Sequence, residues 1–219
     1  LMAHFSGDTK LISVFNNGWD PHEVTAHAIF GECDGHDDPR RDIGKTVNYA
    51  VGYGAEAKTL AKTLCLAGFP TTQAEAKGYQ EAVAAFYPKL YRWMNAVIWQ
   101  AKETHYIETI GGHRRRLVSS DTDDWTAKSY GERQAVNAVV QGSAADILRR
   151  VMLRVQEFEP TLTLIAQVHD ELLWEYDPAR PVSYTTINSL RAVCEAGHGF
   201  DLKVPLVFVP KVCESWSEK

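Results

Sequence analysis

The sequence predicts an α+β fold, with a helical subdomain inserted ahead of a helix-backed antiparallel sheet. Three observations predict it. Between residues 20 and 104 the chain reads as helices with recognisable starts, separated by Gly and Pro breaks. From His105 the pattern changes: HYIETI alternates, Gly111-Gly112 turns, and RRRLV resumes the alternation. Further on, TLTLIAQVHDELLWEY is two apolar runs about a polar interruption, which reads as a β-hairpin bending near His169-Asp170.

The elements follow in order. Thr9 to Phe15 is apolar on one side and ends at the turn signal Asn16-Asn17-Gly18. Asp20-Pro21-His22-Glu23 is a helix start, with Asp20 as N-cap and Pro21 in the first helical position. The acidic, Gly-containing stretch from Gly31 to Pro39 is a loop, and helices follow at about 40–54 and 57–67. Gly68-Phe69-Pro70 breaks the chain, Thr71 or Thr72 caps a helix at about 73–86, and Pro88 starts another that runs to about Thr104. Residues 119–130 are polar and predict a loop. A long helix then covers about 131–157, with Val136, Val140, Ile147, Val151 and Val155 on one side. After the hairpin come a helix at about 184–196 and a final strand, LKVPLVFVP.

Composition bounds the function. With 219 residues, 45% of them hydrophobic, the chain can bury a real core in one large domain or two small ones. Six Trp and nine Tyr exclude a disordered or low-complexity chain. No run of 18 apolar residues occurs, so no membrane span is expected, and the first residues lack the pattern of a signal peptide. Cys33, Cys65, Cys194 and Cys213 are scattered, which predicts reduced thiols; Cys33 with His36 makes only a lone CxxH, a weak zinc signal. A net charge of −5 argues against binding nucleic acid by bulk charge, but basic clusters at Arg40-Arg41-Lys45, His113 to Arg116 and Arg149-Arg150 leave room for a local basic surface.

Three groups of residues carry chemistry. Arg41, Lys45, Tyr49 and Tyr53 are spaced four apart in RRDIGKTVNYAVGYG. On a helix each step of four turns by roughly 40°, so they form one slanting stripe. Two cations followed by two aromatic rings suit a ligand with a polyphosphate end and a flat end, such as a nucleoside triphosphate; an ordinary solvated basic face has the same spacing. Asp170 and Glu171, at the bend of QVHDELLWEY, offer the hard oxygens that Mg²⁺ prefers, although Asp is also common in plain polar turns. A His-Asp pair also occurs in HD-type phosphohydrolases, but there it sits on helices among further ligands. Arg133, Asn137 and Gln141 recur every four residues close to the apolar face of the long helix, where a polar group needs a partner in ligand or protein. Gly142 stands mid-helix, which close backbone approach would explain.

These segments occur in the order found in the family A DNA polymerases, the bacterial polymerase I and phage replicative group, and the chain resembles that family over essentially its whole length. AHFSGDTKLISVF with Asp20-Pro21-His22 looks like the segment after the family's first catalytic motif. RRDIGKTVNYAVGYG resembles its fingers helix, IETIGGHRRRL and NAVVQGSAADIL its next segments, QVHDE its palm hairpin, and VPLVFVPKVCESWSEK its closing strand and tail. The resemblance implies a right-hand polymerase architecture without a thumb: residues 1–19 start the palm, 20–118 form the fingers and 119–219 complete the palm. It implies primer-template DNA and dNTPs as partners, Mg²⁺ as cofactor, and a bacterial or phage-infected cytoplasm as setting, with an organellar origin left open.

The resemblance also assigns roles. Arg41 and Lys45 hold the triphosphate, with His22 assisting; Tyr49 stacks near the sugar, where Tyr in place of Phe goes with tolerance of dideoxynucleotides. Tyr53 and Gly54 occupy the templating position, and Arg133, Asn137 and Gln141 contact the minor groove, whose acceptors are nearly the same for every base pair. His169 lies near the primer end, Asp170 ligates the catalytic metals, and Glu171 lies close by. The family's other metal-binding Asp lies in a motif just before AHxSGD, and this sequence begins at Leu1-Met2-Ala3-His4. One carboxylate cannot anchor two Mg²⁺ ions, so the isolated chain is expected to be inactive or nearly so, as a split-gene product, proteolytic piece or truncation, until an N-terminal fragment supplies the rest and fills the open sheet edge. A single-subunit RNA polymerase, which usually has Ser after His-Asp, and a non-catalytic DNA-binding or assembly subunit are the alternatives.

Overall fold

A computed structural model describes residues 1–117 and 125–218. The chain is mostly helical with small antiparallel ladders, an α+β protein. It divides into two compact units, Leu1–Gly142 and Ser143–Lys219, and the boundary falls inside a helix.

The first unit holds α1 (Met2–Ser6), α2 (Thr9–Asn16), α3 (Pro21–Phe30), α4 (Pro39–Gly52), α5 (Ala57–Leu66), α6 (Gln73–Phe86) and α7 (Pro88–Thr104), then β1 (Tyr106–Glu108) and β2 (Arg114–Arg116). Two predicted starts are realised, Asp20 accepting the amides of His22 and Glu23 and Thr72 forming a reciprocal capping box with Glu75; Asp38, read as loop, also caps, accepting the amide of Arg40. Asp8 does more than one cap. One of its carboxylate oxygens accepts from Lys10 and Leu11 at the head of α2, and the other accepts from the Lys89 amide at the head of α7, 2.9 Å away. At 2% exposed, it ties two helix starts together inside the unit. α3 packs on α4, α5 on α6 and α1 on α7, around Val14, Val47, Leu60, Leu64, Val83, Tyr87 and Ile107. β1 and β2 pair Ile107 with Arg115 about the Gly111-Gly112 turn.

α8 (Trp125–Phe158) crosses from the first unit into the second. The predicted loop at 119–130 is corrected over 125–130, which is helical; its remaining part lies outside the described residues, as does Val118 of RRRLV. On α8, Val136, Ile147, Val151 and Val155 are buried as expected, whereas Val140 is only half-buried and Val139 takes its inward place. Gly142 is approached by a side chain and not by the backbone expected: a Cβ there would stand 2.5 Å from Thr109 Cγ2.

The second unit adds β3 (Thr163–Val168), β4 (Glu171–Glu175) and α9 (Tyr184–Ala196), with a 3₁₀ turn at Trp216–Glu218. β3 and β4 form the predicted hairpin, with Val168 paired to Glu171 and a bulge between Leu164 and Ala166. The predicted final strand, LKVPLVFVP, is not a strand: residues 202–210 pair with no ladder. Pro205 and Pro210 have no N–H to donate, and the Phe208 N–H is given to the Glu195 carboxylate at 3.1 Å. Val207 and Val209 are accordingly 66% and 84% exposed. Arg150 lies over the Phe200 ring, 3.9 Å from its centroid, and donates to the His198 carbonyl, closing the core of this unit.

Candidate functional site

In the first unit the site is built on α4. Gly44, Val47 and Val51 recur at helical spacing and face inward, so Lys45, Tyr49 and Tyr53 face out. Tyr49 is 53% and Tyr53 50% exposed, so part of each ring is presented to solvent for stacking. Among the described residues the Lys45 amine has no ion-pair partner. The ridge anticipated from spacing therefore exists for three of its four members.

Arg41 differs. Its Nε and Nη2 donate to Asp20 Oδ2 at 3.0 and 2.6 Å, and its side chain is 13% exposed. Its Nη1 lies 4.0 Å from Asp42 Oδ1, so an incoming anion meets a guanidinium already facing two carboxylates. Burial works to raise the Asp20 carboxyl, but the Arg41 hydrogen bond and the His22 and Glu23 amides outweigh it and hold the group below its ordinary range. Arg40 is committed too, to Glu32, Asp34 and Asp38, so it fastens the acidic loop before α4 and adds no cation to the ridge.

His22 stands beside the ridge, its ring centroid 5.9 Å from that of Tyr49. Its position depends on residues that spacing did not single out. Asn48, on α4, donates to the Pro21 carbonyl at 3.1 Å, lies 3.1 Å from His22 Nδ1, and accepts from the buried Thr25 hydroxyl at 2.9 Å. Gly44 lets the two helices meet: a Cβ there would fall 2.5 Å from the His22 carbonyl oxygen and 3.0 Å from the Ala26 nitrogen. Burial is the main cause that pulls the His22 imidazole below its ordinary value; Asp20 opposes this, and Arg41 and Lys45 reinforce it.

At the end of α4, Gly54 has a left-handed backbone, φ +64°, and lies against Arg133: a Cβ at Gly54 would be 3.1 Å from Arg133 Cγ. The Arg133 guanidinium approaches Glu56 at 3.8 Å. Tyr53, Gly54 and Arg133 thus share one corner of the first unit. Along α8, Asn137 is half-buried and Gln141 is exposed, on the side that Arg133 begins.

The acidic bend is in the second unit. His169 and Asp170 form a two-residue turn between β3 and β4. His169 takes a left-handed φ of +56°, uncommon for a non-glycine residue although His is among those that enter it most readily. Gln167 donates to its carbonyl at 3.1 Å. Asp170 is exposed, and among the described residues its carboxylate has no protein partner; Glu171 is half-buried. Open, hard carboxylate oxygens at a fixed turn fit a Mg²⁺ ligand. Among the described residues, Asp20, Glu23 and His36 also bring possible metal donors within 4.8 Å of one another, but Asp20 is already committed to Arg41 and two amides. Cys33, of the CxxH pair, is not among them, and all four cysteines are free thiols. A cavity of about 330 Å³ beside Glu195, His198 and Lys203 involves none of the predicted site residues. Among the described residues no helix is long and apolar enough to cross a membrane.

The model of DNA polymerase family A matches residues 1–218. DNA polymerase I of Lactococcus lactis subsp. lactis is 31% identical over 226 residues, covering 100% of this chain and 24% of that protein. The thermostable DNA polymerase I of Thermus thermophilus is 32% identical over 219 residues, covering 99% of this chain and 25% of its own length. The chain therefore spans about a quarter of the length of these curated relatives. Among solved structures, the POL domain of Pol1 from M. smegmatis, in complex with DNA primer-template and dNTP, matches 94% of this chain and 35% of its own, with a TM-score of 0.80 and 32% identity. The chain belongs to DNA polymerase family A.

Proposed function

We propose that this chain supplies the fingers, residues 20–118, and the palm portions, residues 1–19 and 119–219, of a template-directed DNA polymerase. The proposed reaction is attack of a primer 3′-oxygen on the α-phosphate of a dNTP, with pyrophosphate leaving. One observation carries this reading: α4 turns outward a lysine with no ion-pair partner among the described residues and two half-exposed aromatic rings, with His22 beside them. Lys45 and Arg41, the latter on releasing its carboxylate partners, grip the triphosphate through charge-assisted hydrogen bonds. Tyr49 stacks on the nucleotide near its sugar, and Tyr53 with Gly54 holds the templating position. Arg133, Asn137 and Gln141 take the primer-template minor groove, where contacts check pair shape without reading sequence. His169 steadies the primer end.

Asp170 is the metal ligand of this chain, with Glu171 adjacent. When bound, Mg²⁺ activates the 3′-oxygen and stabilises charge on the leaving pyrophosphate. The M. smegmatis relative carries primer-template and dNTP, and the same partners are proposed here. The second metal-binding Asp is proposed to come from an N-terminal polymerase segment outside these 219 residues, so the chain by itself turns over little or nothing.

Primer extension with Mg²⁺, primer-template and dNTPs tests the reading, run with and without an N-terminal half carrying the family's first motif. Extension is expected only with that half. Extension by the 219 residues alone would refute the account of the second Asp, and a preference for ribonucleotides in the complemented complex would refute the DNA assignment.

A further inference from the structure

The hydrogen bonds around Asn48 fix a proton that no heavy-atom position shows directly. Asn48 Nδ2 faces the Pro21 carbonyl at 3.1 Å, and a carbonyl only accepts, so the amide nitrogen must point that way. Its oxygen is consistent with this, since it accepts the Thr25 hydroxyl at 2.9 Å. The amide orientation is thus settled by the Pro21 carbonyl, with the Thr25 hydroxyl also on α3 fitting it. One N–H goes to Pro21, and the second lies 3.1 Å from His22 Nδ1. An N–H facing a ring nitrogen requires a lone pair there. Nδ1 is therefore the acceptor, and the proton of the neutral imidazole is on Nε2.

We infer that Asn48 is a positioning residue, holding His22 as the neutral Nε2–H tautomer so that the ring presents one directed donor to a phosphate oxygen of the nucleotide. The role of the phosphate rests on the nucleotide reading above; the tautomer does not. Protonating Nδ1 would set two N–H groups against each other, so Asn48 works against the imidazolium as well as choosing the tautomer. Burial acts in the same direction. The charged groups around the ring are divided: Asp20 and Asp42 favour the proton, and Arg41 and Lys45 oppose it. His22 is then a neutral hydrogen-bond donor at neutral pH, while the charge that holds the triphosphate comes from Lys45 and Arg41.

Two-bond ¹H–¹⁵N correlation spectra of the ¹⁵N-histidine-labelled chain test this, with His22→Gln to assign the signal. The wild type is expected to show Nε2 protonated and Nδ1 in the acceptor range at pH 7. Asn48→Ala is expected to bring the tautomers towards a mixture and to move the His22 titration up in pH. If Asn48→Ala does not fold, Thr25→Val gives the same readout, because it removes the hydroxyl that pins the Asn48 oxygen. Inorganic tripolyphosphate is the ligand probe. It should shift the Nε2 signal of the wild type and bind about 3–10-fold more weakly to Asn48→Ala. A protonated Nδ1 in the wild type, or a tautomer unchanged in a folded variant, overturns the role of Asn48. The inferred tautomer with no response to tripolyphosphate overturns the phosphate contact, and with it the nucleotide reading of the ridge.

Discussion

Tyr49 and Lys45 are the positions where the spacing of the sequence and the surface of the protein agree best, and they make separable predictions in the complemented polymerase. Lys45→Ala removes the one ridge cation without an ion pair among the described residues, and a charge-assisted contact contributes about 1.5–3 kcal/mol. Steady-state kinetics should show kcat/KM for dNTPs falling about 10–150-fold, with primer-template affinity measured by anisotropy unchanged; loss of DNA affinity instead would move Lys45 to another role. Tyr49→Phe keeps the stacking ring and removes only the hydroxyl. It should leave dNTP incorporation within about 3-fold and sharply reduce dideoxynucleotide incorporation, read as terminated products on a gel. At this scale the exposed ridge was legible because a period of four on a helix needs nothing beyond the helix itself. Asn48 and Thr25 were not, since their pairing joins residues 23 apart in sequence and exists only once α3 and α4 have packed. The left-handed His169 was likewise invisible, because a residue name does not report its φ.

Helix starts were readable almost to the residue because caps are local chemistry: an Asp or Thr oxygen meeting amides two or three positions on. The failures share a different cause. LKVPLVFVP has strand composition, but composition cannot say whether a neighbouring strand is there to accept its hydrogen bonds, and the Phe208 amide finds a carboxylate instead. Gly44 shows the same dependence on neighbours, and it makes the prediction that belongs to elements. In an isolated helix Gly→Ala would gain about 1 kcal/mol. Here the new methyl would fall 2.5 Å from the His22 carbonyl, a backbone atom that cannot rotate aside. Overpacking of about 1–3 kcal/mol should outweigh the propensity gain. Urea unfolding of Gly44→Ala should therefore give a lower midpoint than wild type, with the His22–Tyr49 proximity weakened in NOE spectra. A variant more stable than wild type would mean that α3 and α4 do not meet as closely as described.

For the molecule as a whole, each compact unit carries one histidine that folding keeps from charging. Burial lowers the His22 pKa in the first unit and the His198 pKa in the second, both from an ordinary value of 6.5. Below that value the unfolded chain takes up protons that the folded chain refuses, so stability falls with pH and stops falling through these groups once their folded pKa values are passed. The slope is bounded by about 1.4 kcal/mol per pH unit for each proton refused. Carboxylates act later. Asp20, Glu75 and Glu195 are all lowered from values near 4, so the stability they add is present at neutral pH and is lost only as pH falls below that range. Acid should therefore weaken the protein in two stages, the first setting in as pH falls through the ordinary histidine range and driven by the histidines. Denaturant midpoints followed by tryptophan fluorescence should be flat above pH 7.5 and decline through that window. His198→Asn retains an acceptor for the Phe200 amide, now 3.1 Å from His198 Nδ1, and cannot titrate there. It should flatten the first stage for the second unit and leave the carboxylate stage untouched. A wild type that gains stability as pH falls through that range would require both histidines to be held charged in the fold, the reverse of what their burial implies.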